Sequence, residues 1–382
     1  MTLETTNNIK LKEINRNRIY QLLYQSDKIS KQEIASALNM SLPTITQNLK
    51  TLEEQDLIMK VGTFESTGGR KPDAIAINPY AKFAVGLDIT TNKIVAVVVD
   101  LSSKVVESAE LNITFEDNED YFHSIGMLVN DVLSAADVPH DKVLGLGIAL
   151  PAIISADNRQ VAHASILGLE NGILGFENGT SDHFSRYVPF SCKLCNDANA
   201  GGIAEQWNKC DSTNSIYLSL NNTIGGAIMF NNALYTGENQ RSGEFGHMTI
   251  VNNGRQCYCG KHGCSDAYLS SGLLTNSSNG SLSAFFKLVR EGSLHHINLW
   301  NEYLDYLALT VNNLRMAFDC NVIIGGYVGV YMDEHIDHLR NLVAERNTYE
   351  TYGGYIQACH YRMHATAVGA ALLFIEDFIK SI

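Results

Sequence analysis

Residues 243–270 read GEFGHMTIVNNGRQCYCGKHGCSDAYLS, and they hold the most specific chemistry in the chain. Cys257, Cys259 and Cys264 fall within eight residues, and His247 lies ten residues before the first of them. Three thiolates and an imidazole at this spacing suit a tetrahedral Cys3His site for Zn2+. Gly260 and Gly263 let the chain fold tightly enough to bring Cys259 and Cys264 to one ion. His262 competes as a ligand, but its closeness to Cys264 makes that loop awkward. Four protein ligands leave no open position for water, so the ion's role is expected to be structural.

Working outward, the amino terminus MTLETTNNIKLKEINRNR lacks the apolar core of a signal peptide, and no run of eighteen apolar residues occurs. The expectation is a cytoplasmic protein, in which thiols stay reduced. Its eight cysteines are then core residues, metal ligands or reactive groups. Cys192 and Cys195 have the spacing of a redox pair, but they sit on an expected strand, which favours core packing. His295 and His296 have no thiols or carboxylates near them in sequence, and no role is assigned to them.

At 382 residues, 45% apolar and 18% charged, the chain is long enough for two or three cores. That composition excludes disordered, collagen-like and coiled-coil proteins. The net charge of -13 argues against nucleic acid as a partner, but it is unevenly spread. Residues 1–80 hold ten Lys or Arg against nine Asp or Glu, whereas the remainder holds 18 against 32. The first eighty residues therefore need their own reading.

Leu11, Ile14, Ile19, Leu22 and Leu23 fall on one side of a first helix. Ser30 and Glu33 form a capping box for a second helix that buries Ile34, Ala35 and Leu38. Ser41 caps a third, with Pro43 in its first turn and Ile45, Leu49 and Leu52 as its buried stripe. Thr44, Gln47 and Lys50 point the other way, as the reading face of a helix-turn-helix in a major groove. Residues 57–61 and 74–77 read as strands flanking a turn-rich wing whose tip carries Arg70 and Lys71 for phosphates or a minor groove. Ten cations gathered on one face allow a near-neutral domain to bind DNA.

From residue 81 the pattern becomes α/β. Strands are expected at 83–89, 93–101 and 104–114, a helix at 117–137 and a strand at 143–150. A similar order returns with strands at 215–220, 224–230 and 233–234, then helices, then 322–324 running into Gly325-Gly326. This repetition predicts two ribonuclease-H-like lobes of the actin/hexokinase ATPase type, with a cleft between them. The divisions are 1–80 for the winged helix-turn-helix, 81–195 for the first lobe and 196–364 for the second with the zinc loop. An apolar C-terminal helix within 365–382 completes the first lobe.

The 243–270 stretch resembles the signature of the ROK family (repressors, open reading frames and sugar kinases), Gly-Glu-x-Gly-His followed by Cys-x-Cys-Gly-x-x-Gly-Cys. Gly147-Ile148-Ala149-Leu150-Pro151, Cys195-Asn196-Asp197-Ala198-Asn199 and Ile324-Gly325-Gly326 match further family motifs in the same order. The resemblance covers nearly the whole chain, including the winged front domain and its wing, which distinguishes the family's repressors from its kinases. It implies a sugar site at the cleft, formed by Asn196, Asp197, Glu244, His247 and Asp266. In the family's kinases, Asp197 matches the general base, and position 266 is usually Glu. The shorter Asp266 is expected to withdraw its carboxylate or admit a bulkier ligand. His163, Ser165 and residues 168–172 are candidates for the opposite wall.

Family kinases carry Asp-x-Gly-Gly-Thr in the first hairpin turn, where glycine lets backbone N–H groups approach phosphate. Here residues 88–92 read Asp-Ile-Thr-Thr-Asn, and a second loop, usually Gly-Thr-Gly-x-Gly, reads Asn-Asn-Thr-Ile-Gly at 221–225. The expectation is a sugar-responsive repressor without catalytic residues, acting as a homodimer or homotetramer on double-stranded operator DNA. Its effector is a monosaccharide or sugar phosphate. The alternatives are a sugar kinase with a fused DNA-binding domain, or a repressor controlled by a sugar-transport protein.

Overall fold

The structure, a computed structural model, describes residues 3–65, 71–167, 180–207 and 212–382. Helix α1 (Leu3–Tyr24) leads into α2 (Lys31–Leu38) and α3 (Leu42–Glu54). The capping box between Ser30 and Glu33 forms in full, and Asn39 takes the left-handed conformation that ends α2. Ser41 caps α3, and Ile45, Leu49 and Leu52 are buried. The wing consists of β1 (Ile58–Thr63) paired antiparallel with β2 (Asp73–Ile77). One expectation fails in α1: Ile19, Tyr20 and Leu23 are buried, but Leu11 and Ile14 are more than half exposed. The amphipathic pattern extends beyond the part of the helix that has something to pack against.

The first lobe contains β3 (Phe83–Ile89), β4 (Ile94–Asp100), β5 (Val105–Leu111), α4 (Glu119–Ala135), β6 (Val143–Leu150) and β7 (Cys192–Asn196). Helix α5 (Asp197–Trp207) follows directly. The second lobe contains β8 (Ser215–Leu220), β9 (Ile224–Phe230), β10 (Ala233–Tyr235), the long α6 (Leu294–Phe318), β11 (Asn321–Gly325) and β12 (Ile356–Ala358). The chain closes with α7 (Ala365–Ser381). The sheet orders are β5-β4-β3-β6-β7 and β10-β9-β8-β11-β12, with the same pattern of antiparallel and parallel pairs. The expected duplication is therefore present, strand for strand.

Among the described residues, three large apolar cores result, with two small clusters beside them. One fills the α4 side of the first sheet, and one packs α6 against the second. The third is shared, because Ile19, Tyr20, Leu23, Ile45 and Leu52 of the winged helix join Val95, Val97 and Val99 of β4 with Val368, Leu372 and Ile375 of α7. The reading head is thus rooted in the first lobe. Asn17 Nδ2 donates to the carbonyl of Ile379 at 2.7 Å, and Arg16 Nε donates to that of Ile382 at 3.0 Å. Helix α5 lies between α7 and the second sheet. A side chain at Gly369 of α7 would come within 1.7 Å of the Ala200 carbonyl, so the two helix backbones meet there.

Candidate functional site

Parallel pairing aligns Leu150 of β6 with Asn196 of β7 and Asp88 of β3 with Ala149. The carboxyl ends of these strands thus share one edge, the usual place for a ligand in an open α/β sheet. Above that edge lies a cavity of about 760 Å3, lined among others by Asn196, Asp197, Glu244, His247 and His163. The Asn196 side chain caps α5 by accepting the Asn199 N–H at 2.9 Å and donates to the Ala152 carbonyl at 3.2 Å. It also donates to Asp197 Oδ1 at 3.1 Å, so the amide holds the neighbouring carboxylate in place. Burial pushes the Asp197 carboxyl up to about 6; the nearby charge of Glu244 adds to this and the Ala198 N–H opposes it.

Asp266 stands apart from the other four expected sugar partners. Its Oδ2 accepts the backbone N–H of Ile224 at 2.7 Å, and the residue is buried. It is absent from the cavity lining, where its four counterparts are present. Its side chain braces the turn at 221–224. Arg241 and Tyr258 also line the cavity, although the sequence reading did not single them out. The available signal for Tyr258 was an aromatic residue between two metal-spaced cysteines. Its hydroxyl lies 3.2 Å from His247 Nε2. On the opposite wall, residues 168–172 lie outside the described residues, and so does Arg70 of the wing.

His247, Cys257, Cys259 and Cys264 converge, with one ligand atom from each lying within 4.8 Å of the others. Gly260 and Gly263, both at positive φ, turn the chain between the thiols. The sulfurs of Cys259 and Cys264 are 3.8 Å apart. Two Zn–S bonds of about 2.3 Å at a tetrahedral angle set sulfurs about 3.8 Å apart, so the donor set fits a tetrahedral ion. Burial pushes Cys257 up to about 12, whereas the Lys261 backbone N–H lowers Cys259. A bound dication would favour the thiolate at all three. In contrast, Cys192 and Cys195 are buried thiols raised by desolvation, as core packing requires.

Near the 221–225 turn and the end of β11, backbone N–H groups are paired with side chains. Asn221 Oδ1 accepts the Tyr327 N–H at 2.7 Å, and the Tyr217 hydroxyl accepts that of Gly326 at 3.2 Å. The Tyr327 side chain lies beside Thr90 and Asp88 of the first lobe. Asp88 is pushed up to about 7 by burial, with Asp197 raising it further and Lys93 opposing. None of Asp88, Thr90, Asn221 and Tyr327 lines the cavity.

On α3, Gln47 and Lys50 are exposed, and Lys50 Nζ lies 3.6 Å from Glu54. Thr44 is only half exposed, and its hydroxyl is 2.8 Å from that of Ser41, so it supports the helix cap. Lys71 is exposed at the turn end of the wing, next to the Pro72 carbonyl that accepts the Phe64 N–H. Leu42 was missed in the sequence reading: it is 47% exposed at the amino end of α3, outside the Ile45–Leu49–Leu52 stripe. An apolar side chain there suits contact with a thymine methyl group.

A winged helix rooted in the first of two like lobes, with a cavity at the strand ends, defines a two-lobed α/β body carrying a winged-helix head. The chain belongs to the ROK family, which matches residues 84–377, and residues 12–59 match a winged helix-turn-helix DNA-binding family. It is 24% identical over 395 residues to the xylose repressor of Bacillus subtilis, with 97% of each chain covered. It is 23% identical over 256 residues to the DNA-binding transcriptional dual regulator NagC of Escherichia coli, covering 66% of this chain and 62% of NagC. Its fold matches a solved ROK family transcriptional regulator, a homologue of the E. coli MLC protein. There the TM-score is 0.74 at 18% identity, with 97% of each chain covered. Among the described residues, no helix is long and apolar enough to cross a membrane.

Proposed function

We propose that the chain is a sugar-responsive transcriptional repressor. Its winged helix binds operator DNA, and a monosaccharide or sugar phosphate in the cavity between the lobes changes that affinity. The observation that carries this reading is the shared core, in which the reading head and the cavity-bearing lobe are one packed unit. The name of the xylose repressor supports the sugar response and repression, and that of the DNA-binding transcriptional dual regulator NagC supports DNA binding. Asn196, Asp197, Glu244 and His247 line the cavity and would pair with hydroxyls; a bound sugar that covers them without matching hydroxyls would leave them unpaired. Asp266 would act indirectly, through the turn it braces.

Phosphoryl transfer is disfavoured in this reading. The N–H groups of Gly326 and Tyr327 already have partners, and Tyr327 occupies space beside Asp88. Asp197 then binds without activating a nucleophile. His247, Cys257, Cys259 and Cys264 would hold a structural zinc that fixes the loop carrying Glu244. Gln47, Lys50, Arg70 and Lys71 would contact DNA, with two or four copies of the chain meeting a two-fold operator.

Calorimetry tests the reading. D-xylose, D-glucose, N-acetylglucosamine and its 6-phosphate are titrated into the protein, with and without a duplex selected from a random library by the full chain. At least one sugar is expected to bind, and its affinity must shift with DNA by the same factor as DNA affinity shifts with sugar. If every sugar fails while DNA binds, control passes to a protein such as a sugar transporter. Sugar-dependent ADP release from ATP would restore the kinase reading.

A further inference from the structure

The last three residues of α5 leave the helix in three directions, and each fastens a different part of the molecule. Glu205 accepts the backbone N–H groups of His360 and Tyr361 at 2.8 and 2.9 Å, where the chain passes from the second lobe into α7. Gln206 binds the second lobe itself: its Oε1 accepts the Ser215 hydroxyl at 2.6 Å, and its Nε2 donates to Asn232 Oδ1 at 2.7 Å. Trp207 reaches the DNA-binding head, where its indole N–H donates to the Tyr24 hydroxyl of α1 at 2.9 Å. The two rings meet edge to face at 5.8 Å.

The other end of the same helix begins at Asp197, in the cavity wall. Eleven residues of α-helix span about 16 Å and move as one body. Glu205 and Gln206 are themselves buried, so their hydrogen bonds face little competition from water.

We propose that α5 is the element that carries the sugar response to the reading head, with Glu205, Gln206 and Trp207 as positioning residues at its far end. This rests on the sugar-responsive reading above. A ligand that draws Asp197 towards Glu244 shifts the whole helix. Glu205 and Gln206 hold its far end to the second lobe and to the link into α7, so Trp207 displaces α1 instead of slipping past it. The Trp207–Tyr24 hydrogen bond is the point where that displacement enters the DNA-binding domain.

The test uses the full chain labelled with 5-fluorotryptophan. The chain has two tryptophans, so two 19F resonances arise, and a Trp207→Phe variant assigns them. Trp300 is buried in the second-lobe core and serves as an internal control. For each sugar of the panel that binds, the Trp207 resonance is expected to move while that of Trp300 stays. Tyr24→Phe removes the hydroxyl and keeps the ring, which makes it the gentler variant should Trp207→Phe fold poorly. In either variant, sugar affinity without DNA and operator affinity without sugar should each stay within about threefold of the parent. The factor by which sugar changes operator affinity should fall to less than about twofold. A full sugar effect in Tyr24→Phe with an unmoved Trp207 resonance overturns the proposal. If the parent protein itself shows no sugar effect on operator binding, the sugar-responsive reading fails first, and the route through α5 falls with it.

Discussion

The two lobes share one strand order but have been put to different uses. The back of the first sheet is covered by α7 and the winged helix, in a single apolar core. The second sheet is covered by α6, and its cavity-side loop is gathered by one histidine and three cysteines. One copy of the fold thus anchors the DNA-binding head, and the other carries the loop of clustered His and Cys donors. The same contrast appears in their equivalent hairpin turns. Thr90 closes the first by accepting the Lys93 N–H, whereas Asn221 in the second reaches across to the backbone N–H of Tyr327, just beyond β11. A duplicated backbone fixes where loops emerge, and loop chemistry decides what each copy does.

The largest expected effect tests the metal-binding half of that contrast. Cys264→Ser removes one of four donors and should release zinc, measured as metal per chain. Sugar affinity should fall by about tenfold or more, because the loop carrying Glu244 loses its tether. Operator affinity without sugar should stay within about threefold. A loss of both would mean that the two lobes do not divide the work in this way.

The DNA-binding half is tested by Gln47→Ala and Lys50→Ala. The first should cost about 1–3 kcal/mol of operator affinity. The second should weaken all sequences alike and lower the salt slope by about one. Sugar affinity should be unchanged in both, and calorimetry alongside a DNA-binding titration checks this.

The smallest effect concerns the boundary between the lobes. Burial and Asp197 together push Asp88 up to about 7, against an ordinary value near 3.8. Lys93 opposes this, and Tyr327 lies alongside. The folded state therefore holds this proton more tightly than the unfolded chain does. The resulting stabilisation is complete below about pH 4 and lost as pH rises through about 7. Asp88→Asn should remove that slope and leave the smaller one of Asp197. Relative to the parent, it should gain on the order of 1 kcal/mol at pH 8 and little at pH 4. Urea unfolding at the two pH values decides, and an equal difference at both would place the ionised carboxylate in a polar setting instead.

Sequence by itself determined the parts of this protein that depend on local pattern. Continuous apolar runs placed β3 and β6 to the residue, and the Ser30–Glu33 box and the Ser41 cap set the starts of α2 and α3. The spacing from His247 to Cys264 marked four donors as one cluster, and they do converge. These features were legible because a cap, a strand period or a metal knuckle is decided within a few residues. Tertiary structure alone decided the rest. Leu11 and Ile14 share a helical face with Ile19, but the body of the protein ends before it reaches them. Asp266 accepts the N–H of Ile224, 42 residues away, and so lies outside the cavity lining. The junction at Glu205, Gln206 and Trp207 joins partners up to 183 residues apart, and no local pattern records such contacts. Burial and long-range hydrogen bonding depend on what the rest of the chain places opposite a residue, which becomes definite only when the chain has closed on itself.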